Sequence, residues 1–440
     1  MKWIPLALVA ALFLTRLPFF TTSLCGEEGI FAHAVLEVTR GEKPRLLVAR
    51  DLRGVEYSAV PEHNLAGYVI PGLVFAPFAA VLGTDSHRLD VRVFSGAILR
   101  FVFFLIYLAA AVTALMLIKP SRRLMGAALI VLFSLQTLPF FASIQIQYDG
   151  AVSSLLLVSF VALLTGAIKM QHQARSSVGM AFGAGALIAL GKLEYVIVAL
   201  GTLGMIYVAA LFLRARVRHL HLIPPAFAAG IIAGMSASYI YDPANFIGGF
   251  EVLVRASSAV ASTENRHWLY FRGAWKRIHV LLFGLIWLGI WVWKYRRNIE
   301  PQVLLPGIAA FVVTLGFLVI AWGGDGFPRY FAPAFILLPV ALAQIDSRKW
   351  MGTTAVGILV IEAIVNYGRF IPNAEAALCR LALHAPNIIE ESKVHAMKTF
   401  TCVPKTDGSI GFYAANSPFV CCGYWEDPQA PESLRLQQCP

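Results

Sequence analysis

The chain has 440 residues, of which 58% are hydrophobic and only 14% charged, and its mean hydropathy is +0.69. Those values exclude an ordinary soluble protein and indicate an all-α polytopic membrane protein. The formal net charge of +11 gathers in short basic loops, so it reads as a topological signal rather than as a nucleic-acid-binding surface.

Taking about 20 apolar residues as one crossing, candidate spans fall at 3–20, 94–118, 124–143, 150–168, 177–191, 194–213, 221–239, 278–293, 303–322, 330–345 and 352–368. The first follows one basic residue and is not followed by a small-residue cleavage pattern, so it reads as a retained helix. The clusters KPSRR (119–123), KMQHQAR (169–175), RARVRH (214–219), KYRR (294–297) and SRK (347–349) all follow even-numbered spans. The positive-inside rule places them in the cytoplasm, with the N-terminus cytoplasmic and the C-terminus external. The expected location is a bacterial inner (plasma) membrane.

Between the first two spans lies a long external loop, 21–92, in which Glu27 and Glu28 open the stretch EEGIFAHAVLEVTRGEKP. Ile30, Ala34 and Val35 share one side at helical spacing, and Gly41 is a stop signal. Acids at a helix start are favoured by the helix dipole alone, which is one account of the pair. The next apolar run, NLAGYVIPGLVFAPFAAVLG (64–83), carries Pro71 and Pro77. Counting it as a span would invert every later basic loop, so it is expected to lie in the interface.

Farther along, Asp149 heads a span and either caps it or orients a partner cation. Lys192 stands between apolar runs, where an ionisable group is costly and by default a functional candidate; a snorkelling or Glu194-paired lysine is the alternative. Arg92 is a loop arginine that can pair with Asp90. A second long loop, 240–277, ends in ENRHWLYFRGAWKRIH (264–279), where Arg266, Trp268, Tyr270 and Arg272 interleave bases with aromatics. That pattern suits anionic headgroups or a lid over a lipid-held ligand, and also a plain aromatic belt. Arg329 and Tyr330 sit at the external start of a span, where an arginine can be a plain interface anchor.

The expected organisation is a transmembrane unit, 1–368, and an external tail, 369–440. All six cysteines (Cys25, Cys379, Cys402, Cys421, Cys422 and Cys439) fall on the expected external side, which suits an oxidising compartment and disulfide stapling of the tail. Spacing does not fix their pairing. It shows no dedicated metal site either, although paired carboxylates can share a hard cation with a phosphate.

The order of these features resembles the GT-C superfamily of integral-membrane glycosyltransferases, in particular the branch with protein O-mannosyltransferases and lipid A aminoarabinose transferases. GEEGIFAHAVLEVTRGEKP is similar to that branch's acidic pair and short amphipathic helix after the first span, with Glu27 in place of the usual Asp. EHNLAGYVIPGLVFAPFAAVLG resembles its surface helix, retaining Leu65, Tyr68 and Gly83, but with His63 and Asn64 where a double Pro is usual. DVRVFSGAIL, QYDGAVSSLLLVSFVAL, FGAGALIALGKLEYVIVALGTL and GFPRYFAPAFILLPVALAQ resemble, in order, an Arg-led span, an Asp-led span, a Gly-rich helix ending in Lys and an Arg-Tyr-led helix.

The resemblance implies transfer of a sugar from a polyprenyl-phosphate donor to a lipid, glycan or protein hydroxyl outside the cytoplasm. Glu27 or Glu28 would then be the base, and His63, Asn64, Tyr68, Arg92, Asp149, Lys192, Arg329 and Tyr330 would contact donor or acceptor. Such chemistry requires no nucleotide, and no convincing nucleotide-binding loop is present; no cofactor is required by the sequence, and a divalent metal is an open addition. A transporter or flippase for a lipid-linked sugar is the alternative, for which an internal repeat would speak and none is detected. A receptor or assembly subunit using the tail as a binding module is a third class.

Overall fold

In a computed structural model, the described residues are 3–20, isolated positions within 31–43, 48–50, 56–58, 65–82, 89–146, 148–170, 173–212, 220–243, 246–247, 266–295, 299, 301–322, 328–344, 351–370, 400–404 and 419–423. Among them the helices are α1 Ile4–Arg16, α2 Leu65–Leu82, α3 Leu89–Met116, α4 Arg123–Ser134, α5 Thr137–Ala142, α6 Ser153–Lys169, α7 Ala174–Ala189 and α8 Leu193–Phe212. They continue with α9 Ile223–Tyr241, α10 Arg266–Tyr295, α11 Pro301–Trp322, α12 Ala332–Gln344 and α13 Met351–Phe370.

Helix occupies each apolar range read from the sequence, because a backbone in hydrocarbon must satisfy its own hydrogen bonds. Ala97–Met116, Tyr148–Lys169, Leu193–Ala210 and Ile223–Tyr241 are the four described helices long and apolar enough to cross a bilayer. Shorter apolar helices accompany them. Outward-facing Leu14, Ile232, Ile240, Phe283, Ile361 and Ile364 give these helices an apolar exterior, and the chain is an integral membrane protein.

Three features depart from the sequence reading. The range 124–143 is two helices rather than one, broken where Gln136 adopts an extended backbone conformation (φ −66°, ψ 149°). Helix α10 begins at Arg266, so the aromatic and basic segment read as loop is helical. Among the described residues, two short antiparallel strand pairs accompany the helices: β1 Val48–Arg50 with β2 Glu56–Ser58, and β3 Phe400–Pro404 with β4 Phe419–Gly423.

Arg16 stabilises the break between α4 and α5. It is fully buried at the end of α1, its Nη2 donates to the Ser134 carbonyl, its Nε donates to Ser143 Oγ at 3.3 Å, and its guanidinium lies 4.6 Å from the Phe140 ring centroid. A cation thus sits at the carbonyl end of α4, where the helix dipole favours one.

In the first loop, Gly41 takes a left-handed φ of +78° and donates to the Val38 carbonyl. Helical Ala34 and Val35 are buried, so the expected stop and inward side are both seen; Ile30 lies outside the described residues. Val38 and Thr39 rest on α2 at Gly72, and Thr39 Oγ1 donates to the Gly72 carbonyl at 3.4 Å. Helix α2 forms despite its two internal prolines, burying Ala66, Tyr68, Phe75 and Ala79 and exposing Leu73 and Val81.

Helices α7 and α9 approach one another closely. A Cβ added at Gly185 would lie 2.1 Å from the Phe227 carbonyl oxygen, one at Gly230 2.1 Å from that of Phe182, and one at Gly234 2.4 Å from that of Ala186. Small residues let backbones touch where lipid tails supply no hydrophobic drive. Gly230→Val should therefore lower the midpoint of thermal unfolding in detergent, at a cost of about 1–3 kcal/mol. Gly179→Ala, where an added Cβ meets nothing within 4 Å, should leave it unchanged or slightly raised.

Candidate functional site

A π turn, Tyr148–Val152, precedes α6 and places Asp149 in the interior. Gly150 is what lets it sit there: a Cβ on this residue would lie 2.0 Å from the Ala142 carbonyl oxygen at the end of α5. The wider turn rotates Asp149 away from a regular helical position, and such turns recur at functional sites.

Opposite it, the connection between α7 and α8 carries Lys192. Its Nζ lies 3.2 Å from Asp149 Oδ1 and 3.3 Å from Oδ2, and 3.5 Å from the Tyr330 hydroxyl. Its backbone N–H donates to the Tyr148 hydroxyl at 3.1 Å. Gly191 makes that approach feasible, since a Cβ there would fall 2.3 Å from the same hydroxyl. The ammonium also sits 5.1 Å from the Tyr330 ring centroid and 5.8 Å from that of Tyr148, within cation–π range.

Aromatic contacts fix the tyrosines around this charge. Tyr330 lies within the 3₁₀ turn Pro328–Phe331 ahead of α12 and stacks on Phe317 of α11 at 4.8 Å between centroids; Tyr195 packs edge-on against both Phe317 and Tyr148. The three segments are far apart in sequence, and the ion pair alone spans 43 positions. Asp149 is 0% exposed, whereas Lys192 and Tyr330 each keep 8%. The carboxylate is therefore fully enclosed, and Lys192 and Tyr330 are nearly so. Lys192 can donate to the Tyr330 oxygen, and the N–H and O–H groups of this cluster are of the kind that bind an anion.

Tyr68 of α2 comes to the same end of the bundle. The Ala66 N–H donates to the Leu190 carbonyl at 2.9 Å, which docks the start of α2 on the connection that carries Lys192. Burial pushes the Tyr68 phenol above its ordinary range, and the charge of Asp242 at the end of α9 adds to this, followed by Tyr241. The phenol thus remains a neutral donor.

Of the predicted site residues, Asp149, Lys192 and Tyr330 are brought into one cluster. Arg92 falls in α3, Arg329 in the turn with Tyr330, and Arg266, Trp268, Tyr270 and Arg272 in the opening turns of α10. Glu27, Glu28, His63 and Asn64 lie outside the described residues. The proposed Glu194 partner for Lys192 gives way to Asp149; Glu194 Oε2 is buried without a hydrogen-bond partner. Among the described residues, no group of three His, Cys, Asp or Glu side chains could hold a metal.

Tyr148, Tyr195, Phe317 and Asp242 were not singled out by sequence. Their signal is faint: Tyr148 precedes Asp149 directly, and Tyr195 follows Lys192 by three residues, but each reads as ordinary apolar packing. The ion pair predicts a stability cycle. Asp149→Asn should cost about 3–5 kcal/mol in detergent unfolding by leaving a buried ammonium without its carboxylate, and adding Lys192→Met should recover part of that loss. Wild-type stability in Asp149→Asn would mean the pair is not formed.

No protein family and no curated protein matches the sequence. Among solved structures, ArnT from Cupriavidus metallidurans, crystallised with undecaprenyl phosphate, is similar over 90% of this chain and 68% of its own length, with 18% identity and a TM-score of 0.51. The Archaeoglobus fulgidus oligosaccharyltransferase tethered to an acceptor peptide is similar over 88% of this chain and 56% of its own length, with 13% identity; its TM-score of 0.47 is too low to weigh in the assignment. The arrangement shared with ArnT spans nine-tenths of this sequence, and the chain has the GT-C fold.

Proposed function

We propose that the chain transfers a sugar from a polyprenyl-phosphate carrier to a hydroxyl acceptor at the non-cytoplasmic surface of the membrane. The observation that supports this most is the Lys192–Asp149–Tyr330 cluster, set in a fold shared with a protein crystallised on undecaprenyl phosphate. In this reading the donor phosphate lies against the Lys192 ammonium and the Tyr330 hydroxyl. Asp149 holds that ammonium in place across the ion pair.

The chemistry asks little more. The bond from the anomeric carbon to the phosphate oxygen breaks, the departing phosphate is a stable anion that needs no general acid, and cations stabilise its charge as it develops. Arg329 and Arg92 are the further cations assigned here. The acceptor hydroxyl must lose a proton as it attacks, and Glu27 is proposed as its base, with Glu28 orienting it. His63, Asn64 and Tyr68 are proposed to line the donor and acceptor path, and Arg266, Trp268, Tyr270 and Arg272 to cover it.

The transmembrane unit 1–368 would carry the reaction, with the loops 21–92 and 240–277 and the tail 369–440 outside. Lipid, glycan and protein acceptors all present a suitable hydroxyl. A flippase would use the same phosphate contacts, but it would move the donor across the bilayer without breaking the glycosidic bond.

The test is transfer in proteoliposomes from short-chain polyprenyl-phosphate sugars to a panel of lipid, glycan and peptide hydroxyls, read by mass spectrometry. Glu27→Gln should reduce the rate by about two to four orders of magnitude, and Glu28→Gln by less. Full rates in both variants would remove the acidic pair from the mechanism. Translocation without product would establish the flippase instead.

A further inference from the structure

We infer, resting on the reading of Lys192 and Tyr330 as phosphate contacts, that Arg16 is a positioning residue for that site: it fixes α5, the short helix against which the turns bearing Asp149 and Tyr330 both lie. Arg16 itself cannot touch the donor. Its side chain is 0% exposed at the end of α1, and each of its three guanidinium nitrogens is engaged by protein: Nε with Ser143 Oγ at 3.3 Å, Nη1 with Thr15 Oγ1 at 2.7 Å and Nη2 with the Ser134 carbonyl. A cation in such a place is costly, and two of its three bonds go to the ends of α4 and α5.

Those two bonds bracket α5. Ser134 is the last residue of α4 and Ser143 the C-cap of α5, so one guanidinium reaches residues on both sides of the six-residue helix, and it lies 4.6 Å from the ring centroid of Phe140 within it. A helix of six residues has no stability of its own. Tertiary contacts must place it, and a cation suits the carbonyl ends of α4 and α5. Helix α13 adds two further tethers: Asn366 Nδ2 donates to Gln136 Oε1 at 3.2 Å, and Tyr367 packs edge-on against Phe140 at 6.1 Å between centroids.

What α5 supports is the cluster. The π turn seats on its terminal Ala142 carbonyl, since a Cβ on Gly150 would fall 2.0 Å from that oxygen. The residue before Gly150 is Asp149, which holds Lys192 at 3.2 Å. The same helix lies against the turn Pro328–Phe331, which contains Tyr330. Close-packed interiors transmit small displacements rather than absorb them, so a shift of α5 moves the Asp149 carboxylate and the Tyr330 hydroxyl relative to the ammonium. The route from Arg16 to Lys192 runs through Ser143, Ala142, Gly150 and Asp149, all of them buried.

The test is a double-mutant cycle on equilibrium binding of a short-chain polyprenyl phosphate to the full-length chain in nanodiscs, with thermal unfolding measured on every variant. Arg16→Met keeps much of the side-chain length and loses the charge and all three bonds; it should weaken binding by about threefold to tenfold. In a Lys192→Met background, already weakened at least about tenfold, the same change should cost less than about twofold, because Arg16 acts by placing the cluster. An arginine with a merely structural role would lose the same factor in both backgrounds. Arg16→Lys keeps a cation but lacks the fork that reaches both helix ends, so it should fall between wild type and Arg16→Met. Ser143→Ala removes one bond only, carries the test if the Arg16 variants fail to fold, and should weaken binding by about twofold to threefold. Wild-type affinity in folded Arg16→Met, equal losses in the two backgrounds, or, with the Arg16 variants unfolded, wild-type affinity in Ser143→Ala would each overturn the inference and leave the phosphate reading standing. Absence of binding by the wild type would remove both.

Discussion

A positive charge held inside an apolar bundle is the constraint on which this structure turns. An ammonium in a membrane interior is stable only when a partner charge is fixed beside it, and Lys192 meets Asp149 there at 3.2 Å. Neither residue is placed by a regular helix. Asp149 depends on a π turn seated against α5 through Gly150, and Lys192 on a helix connection that admits the Tyr148 hydroxyl through Gly191. Tyr330 then joins them from a third interruption, the 3₁₀ turn before α12. Helix ends and irregular turns expose unused backbone groups and can aim polar side chains in ways a continuous span cannot.

Helix α2 connects this cluster to the first loop. Its start is bonded to the Leu190 carbonyl beside Lys192, and its middle carries Val38 and Thr39 of the segment that follows the acidic pair. One apolar helix therefore touches both the connection bearing the ammonium and the Val38 and Thr39 stretch of the first loop. The two polar bridges of α13, Glu362 with His279 and Asn366 with Gln136, follow the same physical logic: each satisfies a polar group on a largely apolar helix by reaching across to a neighbour.

The helices were legible in the sequence because hydrocarbon imposes length and apolarity directly. Lys192 was legible for the complementary reason, as an ionisable group interrupting an apolar run. Its partner was not, because pairing over 43 residues is a product of tertiary packing, and the nearby Glu194 offered an equally reasonable local candidate. The break at Gln136 was hidden by apolar residues on both sides, with Pro139 as the only sign. The early start of α10 was masked by its basic and aromatic composition, which reads as interface whether the backbone is helical or not. The hairpins carry too few residues for period-two alternation to stand out from loop sequence.

The central claim is that Lys192 and its neighbours hold the phosphate of a polyprenyl lipid. The most direct measurement is equilibrium binding of a short-chain polyprenyl phosphate, without sugar, to the purified protein in nanodiscs, compared between wild type and Lys192→Met. The account predicts saturable binding to the wild type, competed by excess lipid phosphate, and at least about tenfold weaker binding to Lys192→Met, since a charge-assisted contact to phosphate is lost. Equal affinity in a Lys192→Met protein that retains its fold would contradict it.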